Sequence, residues 1–427
     1  MESAGKRRLR VLFLSQRFLY PMDTGGKIRT GKLLEKLKDL FEITLISNVD
    51  ARNDVPHLKR VRALCSDFVA VPWRDAPKRS PRFYLRALGG VCSRYPITVL
   101  NDYSRELEAA VLRARERRHY DVLVCDFLQS ALNFARVAGS PTLLFQHNVE
   151  SVLAQRYFAS ARGPVAKAFW RSQLAKMERF EREACQGFTG VVTVSAVDKA
   201  ILEERFGARN VFAIPTGVDT QYFAPEATEV KEHSLVFAGS MDWLPNEDAV
   251  LFFADEILGR ITQHLPSVKL TVVGRNPSRA LLRRTRRHPE IDVVGAVDDI
   301  RPFIRRHAVY VIPLRVGSGT RIKVYEAMSM GKAIVSTSVG VEGLPVTTGR
   351  HLVIADRPTE FAAAVVELLR DHEARRELEV AARGFVERNF SWERAAVAFA
   401  DACRKVAATT PPVREDRAHV WAATERV

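Results

Sequence analysis

Short runs of β-branched and other apolar residues alternate with stretches of helical spacing through the first half of the chain. The helical patterns cover 27–38, 105–118 and 201–206. Because strands that alternate with helices form βαβ units, this order predicts an α/β fold with a parallel sheet and helices on both faces. The predicted strands are 10–15, 42–46, 68–71, 121–125, 142–146, 191–195 and 211–215.

A second series of strands follows a polar stretch at 225–233 that is bounded by proline, and we place a domain boundary near residue 228. The later strands are predicted at 235–239, 269–274, 291–294, 309–314 and 333–337. The expected organisation is one α/β domain at 1–228, a second at 229–390, a helix at 391–408 that packs back on the first domain, and a flexible tail at 409–427.

The stretch 151–186 does not fit this alternation, because it has helical spacing without a strand. Its apolar residues are interleaved with basic ones. That pattern is typical of an interfacial membrane helix, and it also describes a helix packed on a domain core, so both interpretations stay open. The apolar residues are Tyr157, Phe158, Val165, Phe169, Trp170, Leu174, Met177 and Phe180, and the basic ones are Arg156, Arg162, Lys167, Arg171, Lys176 and Arg179.

The length of 427 residues is sufficient for two domains of ordinary size. No window approaches the roughly 18 uninterrupted apolar residues of a membrane span, and the apolar run 11–14 is too short for the core of a signal peptide. The five cysteines are scattered without a CxxC pair. They predict neither a disulfide framework nor a zinc site, and they favour a reducing cytoplasm.

The net charge of +15 bears on the partners of the protein. Basic residues cluster at 78–94, 113–118 and 279–287. Such clusters are typical of a nucleic-acid-binding protein or of an enzyme that docks on an anionic membrane, and they also occur on an ordinary solvated surface. The cluster at 279–287 contains no aromatic residue that could stack on a base, so the nucleic-acid interpretation ranks low.

The segment 313–338 combines a strand end, the glycines Gly317 and Gly319, and a helix that carries Lys323 and Glu326. A strand–loop–helix turn of this kind directs backbone N–H groups and the positive end of a helix dipole at one spot, which suits a phosphate. The alternative is an ordinary βα turn that glycines merely shape. The basic side chains beside the loop are Arg315, Arg321 and Lys323.

A second glycine turn, formed by Gly25 and Gly26, follows the first predicted strand and precedes a helix that carries Arg29. Ligands bind at the carboxyl ends of strands in open α/β sheets. The turn is not GxGxxG, and no acidic residue for a dinucleotide ribose follows the second strand. A nicotinamide-dependent dehydrogenase is therefore disfavoured.

Polar residues also follow two later strands of the first half. Asp126 comes directly after the strand 121–125, and His147, Asn148 and Glu150 come after the next one. Asp126 can either face a ligand or cap a following helix. Glu150 can orient His147 or a substrate hydroxyl, or its charge can serve a helix N-terminus.

Five segments in this order resemble the retaining GT-B glycosyltransferases of family 4. The version found here is most similar to sugar transferases associated with exopolysaccharide and exosortase (PEP-CTERM) systems. The segments are Gly25-Gly26, Gln146-His147-Asn148, Val194-Ser195, Pro215-Thr216-Gly217-Val218-Asp219 with Tyr222-Phe223, and Gly317-Ser318-Gly319 leading to Glu326-Ala327-Met328.

The resemblance implies two Rossmann-like parallel-sheet domains facing a cleft, with an N-terminal acceptor domain and a C-terminal nucleotide-sugar domain. It implies transfer with retention of configuration and without a metal or other cofactor. The implied partners are a nucleotide-sugar donor, favoured as a UDP-sugar, and a saccharide or polyprenyl-linked acceptor, with possible peripheral contact with the anionic inner membrane. The Asp298-Asp299 pair is expected to begin a helix rather than to hold a metal.

The resemblance also implies roles for individual residues. His147 and Glu326 match catalytic positions, with Glu326 as the second glutamate of the E-x7-E motif, whose usual role is to bind the nucleotide ribose. Acceptor-side candidates are Arg29, Asp126, Asn148 and Glu150. Donor-binding candidates are Gly25, Gly26, Arg275, Gly317, Ser318, Gly319, Thr320, Arg321, Lys323 and Glu326.

Two positions depart from the family pattern. Ser318 stands where the first glutamate of E-x7-E is expected, and 242–246 replaces the Arg and Lys pair after the first strand of the second domain. We therefore expect Arg321 and Lys323 to bind the diphosphate. The alternatives are a GT-B nucleotide-sugar epimerase or hydrolase, a catalytically idle sugar-binding homologue and, ranked lowest, a basic nucleic-acid-binding protein.

Overall fold

The computed structural model describes residues 7–74, 93–137, 139–161, 163–316 and 322–409. The chain divides into two compact units, Met1–Pro215 with Ala395–Val427, and Thr216–Arg394. The division falls at Thr216 rather than near residue 228, because the Val218 amide donates to the Phe390 carbonyl at 2.9 Å. A Cβ atom at Gly217 would also lie 2.7 Å from the Trp392 backbone.

In the described residues, the first unit contains a seven-stranded parallel sheet of order β3-β2-β1-β4-β5-β6-β7. This is a doubly wound order in which the direction of winding reverses between β1 and β4, where ligands bind in open α/β sheets. Strands β4 and β5 are buried along their length, as expected for a sheet covered on both faces. The strands are β1 (Arg10–Ser15), β2 (Glu42–Val49), β3 (Asp67–Pro72), β4 (Val122–Asp126), β5 (Thr142–Phe145), β6 (Gly190–Thr193) and β7 (Val211–Ala213).

The helices of the first unit begin and end at residues suited to these positions. Ser104 and Ser195 accept hydrogen bonds from backbone amides at two helix N-termini, and Gly207 ends a helix in the left-handed conformation. The helices are α1 (Gly25–Leu37), α2 (Leu58–Arg62), α3 (Ile97–Asp102), α4 (Arg105–Arg117), α5 (Glu150–Ser160), α6 (Pro164–Gly187) and α7 (Ala196–Phe206).

Two predicted helical segments differ in the structure. The region 151–186 is not one helix but α5 and α6, and the chain turns at Gly163, which has a φ of 85° and precedes Pro164. Glycine adopts this φ readily, and proline fits the first position of the next helix. The helix that Asp126 was expected to be able to cap is a 3₁₀ segment, Leu128–Phe134.

In the described residues, the second unit contains a six-stranded parallel sheet of order β10-β9-β8-β11-β12-β13, which repeats the doubly wound plan. Its strands are β8 (Lys231–Ala238), β9 (Lys269–Val273), β10 (Ile291–Gly295), β11 (His307–Ile312), β12 (Ala333–Ser336) and β13 (Val353–Ile354). Its helices are α8 (Leu244–Phe252), α9 (Leu258–Thr262), α10 (Arg279–Thr285), α11 (Arg301–Arg306), α12 (Ile322–Ser329), α13 (Pro358–Arg370) and α14 (His372–Asn389).

The final helix, α15 (Trp392–Ala407), belongs mostly to the first unit. Phe399 packs against Phe145 with ring centroids 5.1 Å apart, and the Arg404 guanidinium lies 5.7 Å from the centroid of Phe41. Among the described helices, none combines the length and the apolar character that a membrane crossing requires.

Candidate active site

A buried carboxylate lies where the first sheet reverses its order. Asp126 ends β4, pairs in register with Ser15 at the end of β1, and is fully buried. Its Oδ2 accepts from the Ser15 hydroxyl at 2.9 Å and from the Thr30 hydroxyl at 3.0 Å, and its Oδ1 lies 2.7 Å from His147 Nε2. Three donors from three separate elements therefore hold this carboxylate.

The His147 imidazole is buried between aromatic rings. Phe127 stacks on it with centroids 3.9 Å apart, and Phe145 lies at 4.4 Å. Burial lowers the pKa of His147 from its usual value, and the charge of Asp126 opposes this effect. Since a carboxylate only accepts hydrogen bonds, Nε2 carries the hydrogen, and the neutral ring keeps Nδ1 as an acceptor.

Phe127 is held in an uncommon backbone conformation, with a φ of 67°. Its ring fills the space above Gly26, where a Cβ atom would lie 2.4 Å from the ring, and the Arg17 guanidinium lies 4.7 Å from its centroid. Backbone strain of this kind costs on the order of 1–3 kcal/mol and concentrates at functional sites. Gly26 is thus required by the packing of Phe127, and Gly25 begins α1.

Arg29 is buried beside this group. Its Nη2 donates to the Ile214 carbonyl at 2.6 Å, and its guanidinium lies 4.6 Å from the Phe145 centroid. Burial lowers the pKa of Arg29 to about 9, and the Asp126 charge opposes the shift. Among the described residues its buried Nη1 has no hydrogen-bond partner. A cation with an unused donor is suited to an anionic or hydroxyl-bearing ligand.

The residues after His147 lead into α5. Asn148 donates to the Glu150 carboxylate at 3.2 Å, and the amides of Glu150 and Ser151 donate to the Glu181 carboxylate at 2.9 and 3.0 Å. Glu181 therefore serves this helix N-terminus, a role that the sequence offered to Glu150. Burial raises the pKa of Glu150, and it raises the pKa of Glu181 to about 7.

The first sheet thus brings Asp126 and His147 together and places Arg29 beside them. Asp126 was predicted as an acceptor-side residue, but it has no exposed surface with which to contact an acceptor. Its carboxylate contacts His147 instead. Sequence reasoning missed Ser15, Thr30, Phe127, Glu181 and Arg17. The available indication for Glu181 was its place on the apolar face of α6, four residues after Met177 and next to Phe180.

In the second unit, Lys323 lies at the carboxyl edge of the sheet. Its Nζ donates to Asn246 Oδ1 at 2.7 Å and lies 4.6 Å from the centroid of Phe237 in β8. A Cβ atom at Gly239 would come within 2.8 Å of this ammonium group. The glycine after β8 therefore leaves room for the Lys323–Asn246 pair, with Asn246 in the 242–246 segment that departs from the family pattern.

Glu326 lies one turn after Lys323 in α12 and is half-buried. Burial raises the pKa of its carboxyl group to about 7, and Lys323 opposes the shift. A carboxyl group that titrates near neutral pH at the edge of a parallel sheet is typical of a functional position.

Two other described cations of the second unit, Arg275 and Arg315, are held by neighbours. Arg275 Nε donates to the Ser240 hydroxyl at 2.9 Å and lies 3.5 Å from Asp242 Oδ2. Arg315 forms an ion pair with Asp248 at 2.5 Å, so part of its charge is already balanced. The predicted donor-binding residues Gly317, Ser318, Gly319, Thr320 and Arg321 lie outside the described residues, and their roles stay predictions.

Sequence models of two families match the chain. The model described as Glycosyltransferase Family 4 matches residues 41–222, and the one described as Glycosyl transferases group 1 matches residues 232–371. The two matches fall largely on the two structural units and together span most of the chain.

Solved structures share the fold. They include sucrose-phosphate synthase from Thermosynechococcus elongatus, with a TM-score of 0.71 at 17% identity, covering 93% of this chain and 99% of that one. HepE from Anabaena, in complex with UDP and glucose, gives 0.68 at 12% identity, covering 93% and 100%. A TarM mutant from S. aureus, in complex with Fondaparinux, alpha-GlcNAc-glycerol and UDP, gives 0.66 at 10% identity, covering 92% and 99%.

One curated relative is similar along nearly its whole length. It is an uncharacterized 44.6 kDa protein in the cps region of Klebsiella pneumoniae, 19% identical over 399 residues, which are 89% of this chain and 96% of that protein.

Proposed function

The chain belongs to the GT-B glycosyltransferases of family 4, and from this premise we propose that it moves a sugar from a nucleoside-diphosphate donor to a saccharide or lipid-linked saccharide. In the proposed reaction the bond between the anomeric carbon and the diphosphate breaks, and the acceptor hydroxyl oxygen forms the new bond with retained configuration. The hydroxyl proton leaves with the nucleoside diphosphate. UDP is the favoured nucleotide, in line with the UDP in the HepE and TarM structures.

The observation that carries this proposal is the Lys323–Asn246 pair beside Glu326, within the residues matched by the second family model. A fixed ammonium group stabilises the negative charge that develops on a leaving diphosphate. Glu326, when ionised, accepts hydrogen bonds from donor hydroxyls. In the first unit, the Asp126–His147 pair is proposed to act at the sugar, as the catalytic position of His147 implies.

We also propose that the transfer needs no metal or other cofactor, with cationic side chains serving the diphosphate. In the Asp298-Asp299 pair, the Asp299 carboxylate is bound by the Arg301 guanidinium at 2.7 Å, and this contact lowers its pKa. We expect EDTA to leave turnover unchanged and added Mg²⁺ not to increase it. A loss of turnover with EDTA, reversed by one divalent cation, would overturn this part.

The direct test is thermal unfolding of the full chain with UDP-, GDP- and ADP-sugars. At a concentration one hundred times the dissociation constant, the true donor is expected to stabilise the fold by about 2.7 kcal/mol. At the same concentration, Lys323→Met should lower this stabilisation to about 0.4–1.4 kcal/mol, as a ten- to hundredfold weaker affinity requires. Lys269→Met, on an exposed lysine at the start of β9, should keep it in full. If no nucleotide-sugar shifts unfolding, the proposal fails.

Turnover then separates transfer from its alternatives. A transferase consumes the donor only with an acceptor, whereas an epimerase or hydrolase turns over without one. A homologue that only binds sugar would show the thermal shift and no turnover with any acceptor.

The place of this reaction is proposed to be exopolysaccharide or other cell-surface glycan synthesis, at the cytoplasmic face of the inner membrane. The relative from a cps region supports the first part. In the described residues Cys65, Cys125, Cys185 and Cys403 are free thiols, in line with a reducing compartment. Transfer of labelled sugar to a polyprenyl-linked saccharide, compared with the free saccharide, tests the lipid-linked acceptor.

A further inference from the structure

The turn between α5 and α6 projects apolar side chains. We define the hairpin tip as residues 156–171 without residue 162. Toward its base α6 is packed on the first unit through buried residues such as Gln173, Met177 and Phe180. Within the tip, Val165 is 83% exposed and Phe169 is 37% exposed. These two residues are one turn apart on α6, so their apolar surfaces are adjacent.

Aromatic rings join the two helices at the hairpin tip. Tyr157 of α5 stacks on Trp170 of α6 with centroids 4.7 Å apart, and Phe169 meets Trp170 edge-on at 5.4 Å. Tyrosine and tryptophan are common where a protein meets a membrane surface, because each has an apolar ring and a polar group. The two helices of the tip are thus packed together by residues that suit the boundary between water and an apolar phase.

The charge of this segment has one sign. Between Ser151 and Met177 the sequence has no aspartate or glutamate. The first acidic residues beyond it are engaged at the base of the hairpin, where Glu178 pairs with Arg205 at 3.0 Å and Glu183 pairs with Arg94 at 3.2 Å. The basic residues between Ser151 and Met177 are Arg156, Arg162, Lys167, Arg171 and Lys176.

The dimensions fit a lipid headgroup layer. At 1.5 Å per helical residue, Val165 and Arg171 are separated by about 9 Å along the axis of α6. Interfacial segments enter the boundary of headgroups and acyl chains by about 5–10 Å. With the hairpin tip approaching end-on, Val165 reaches the acyl boundary while Lys167 and Arg171, both exposed, lie among lipid phosphates.

We propose that the hairpin tip docks the protein on an anionic lipid bilayer. This proposal specifies the membrane contact of the proposed function and rests on that function for its biological purpose. The residues of the hairpin tip are separate from those proposed for sugar transfer. Exposed apolar groups beside the positive charge favour a bilayer over a soluble polyanion, since only a bilayer buries Val165 and Phe169.

Co-sedimentation of the full chain with vesicles tests the proposal. Phosphatidylcholine vesicles containing one quarter phosphatidylglycerol should bind the protein at low salt, and pure phosphatidylcholine should bind it far less. Val165→Asp is expected to lower partitioning about tenfold. Lys167→Glu is expected to lower it at least tenfold, because the lost positive charge contributes roughly fivefold and the new negative charge is repelled by the anionic lipid.

Two matched variants serve as controls. Val380→Asp changes a valine that is 63% exposed on α14, and Arg283→Glu reverses a charge in the 279–287 cluster; both should bind vesicles as the unchanged protein does. Equal binding by Val165→Asp, or loss of binding in Arg283→Glu alone, overturns the proposal. A third result would also overturn it: the protein binds dextran sulfate, Lys167→Glu weakens that binding, and Val165→Asp leaves vesicle binding unchanged.

The thermal shift with nucleotide-sugar separates this inference from the proposed function. Val165→Asp should keep the donor-induced shift, which also shows that the variant is folded. Absence of any donor shift in the unchanged protein, with vesicle binding intact, contradicts the sugar-transfer proposal and leaves docking supported.

Discussion

Nε2 of His147 lies 2.7 Å from Oδ1 of Asp126, and the register of two neighbouring strands sets this contact. Asp126 at the end of β4 pairs with Phe145 at the end of β5, and His147 follows two residues later. The carboxylate fixes the tautomer of the ring and, through Ser15 and Thr30, anchors it to β1 and α1. A buried pair of this kind orients a side chain more tightly than a surface loop can.

Asp126→Asn is expected to lower kcat by tenfold or more with little change in KM. The asparagine can donate to Nε2, which would move the ring hydrogen to Nδ1, and one charge-assisted hydrogen bond worth about 1.5–3 kcal/mol is lost. Steady-state kinetics with donor and acceptor give the split between kcat and KM.

The control is Asp121→Asn. Asp121 lies just before β4 and accepts from the Arg10 amide at 2.7 Å, far along the strand from His147. We expect it to alter stability without a selective loss of kcat. If Asp126→Asn is less stable but turns over normally when folded, Asp126 has only a structural role.

Lys323→Met is expected to weaken donor binding by roughly ten- to hundredfold, since it removes one charge-assisted contact to the diphosphate. The affinity for the free nucleoside diphosphate should fall by a similar factor, because the lost contact is to phosphate and not to sugar. Isothermal titration with the donor and with the free nucleotide measures both. Lys269→Met should bind as the unchanged chain does, and unchanged affinity in Lys323→Met would remove Lys323 from the site.

Donor binding is expected to weaken as the pH falls through about 7. Burial raises the pKa of Glu326 to about 7, so at pH 8 the carboxylate is ionised and accepts from donor hydroxyls, while at pH 6 it is mostly protonated. The same shift means that the folded state holds this proton more tightly than the unfolded chain, so Glu326 favours folding less as pH rises from about 4.5 to 7.

The measurement is kcat/KM for the donor between pH 5.5 and 8.5 (a range chosen to span about 1.5 units on either side of 7). Glu326→Gln should lower kcat/KM at pH 8 and flatten the profile near 7, because its amide does not titrate. A profile in Glu326→Gln that still bends near 7 would assign the titration to another group.

The sequence predicted the places of strands β1 to β12 along the chain, because each is a short apolar run between polar or helical stretches, and it missed only the two-residue β13 among the described strands. It could not predict the role of Asp126, since its donors Ser15 and Thr30 are 111 and 96 residues away in the chain. The break at Gly163 was overlooked although the Gly163-Pro164 pair is a signal for a turn, because helical spacing continues on both sides of it. The positive φ of Phe127 arises from tertiary packing, which local propensity does not encode.

The contact of Gly26 with the Phe127 ring gives a paired test of packing. In Gly26→Ala the new Cβ atom would lie 2.4 Å from the ring, so Phe127 must move, and overpacking of this kind costs about 1–3 kcal/mol. Because Phe127 stacks on His147, we expect kcat to fall as well. Gly259→Ala meets nothing within 4 Å on α9 and should stabilise by roughly 0.5–1 kcal/mol. Urea unfolding and turnover of both variants decide this, and equal stability of the two would show that the Phe127 ring yields freely and does not hold His147.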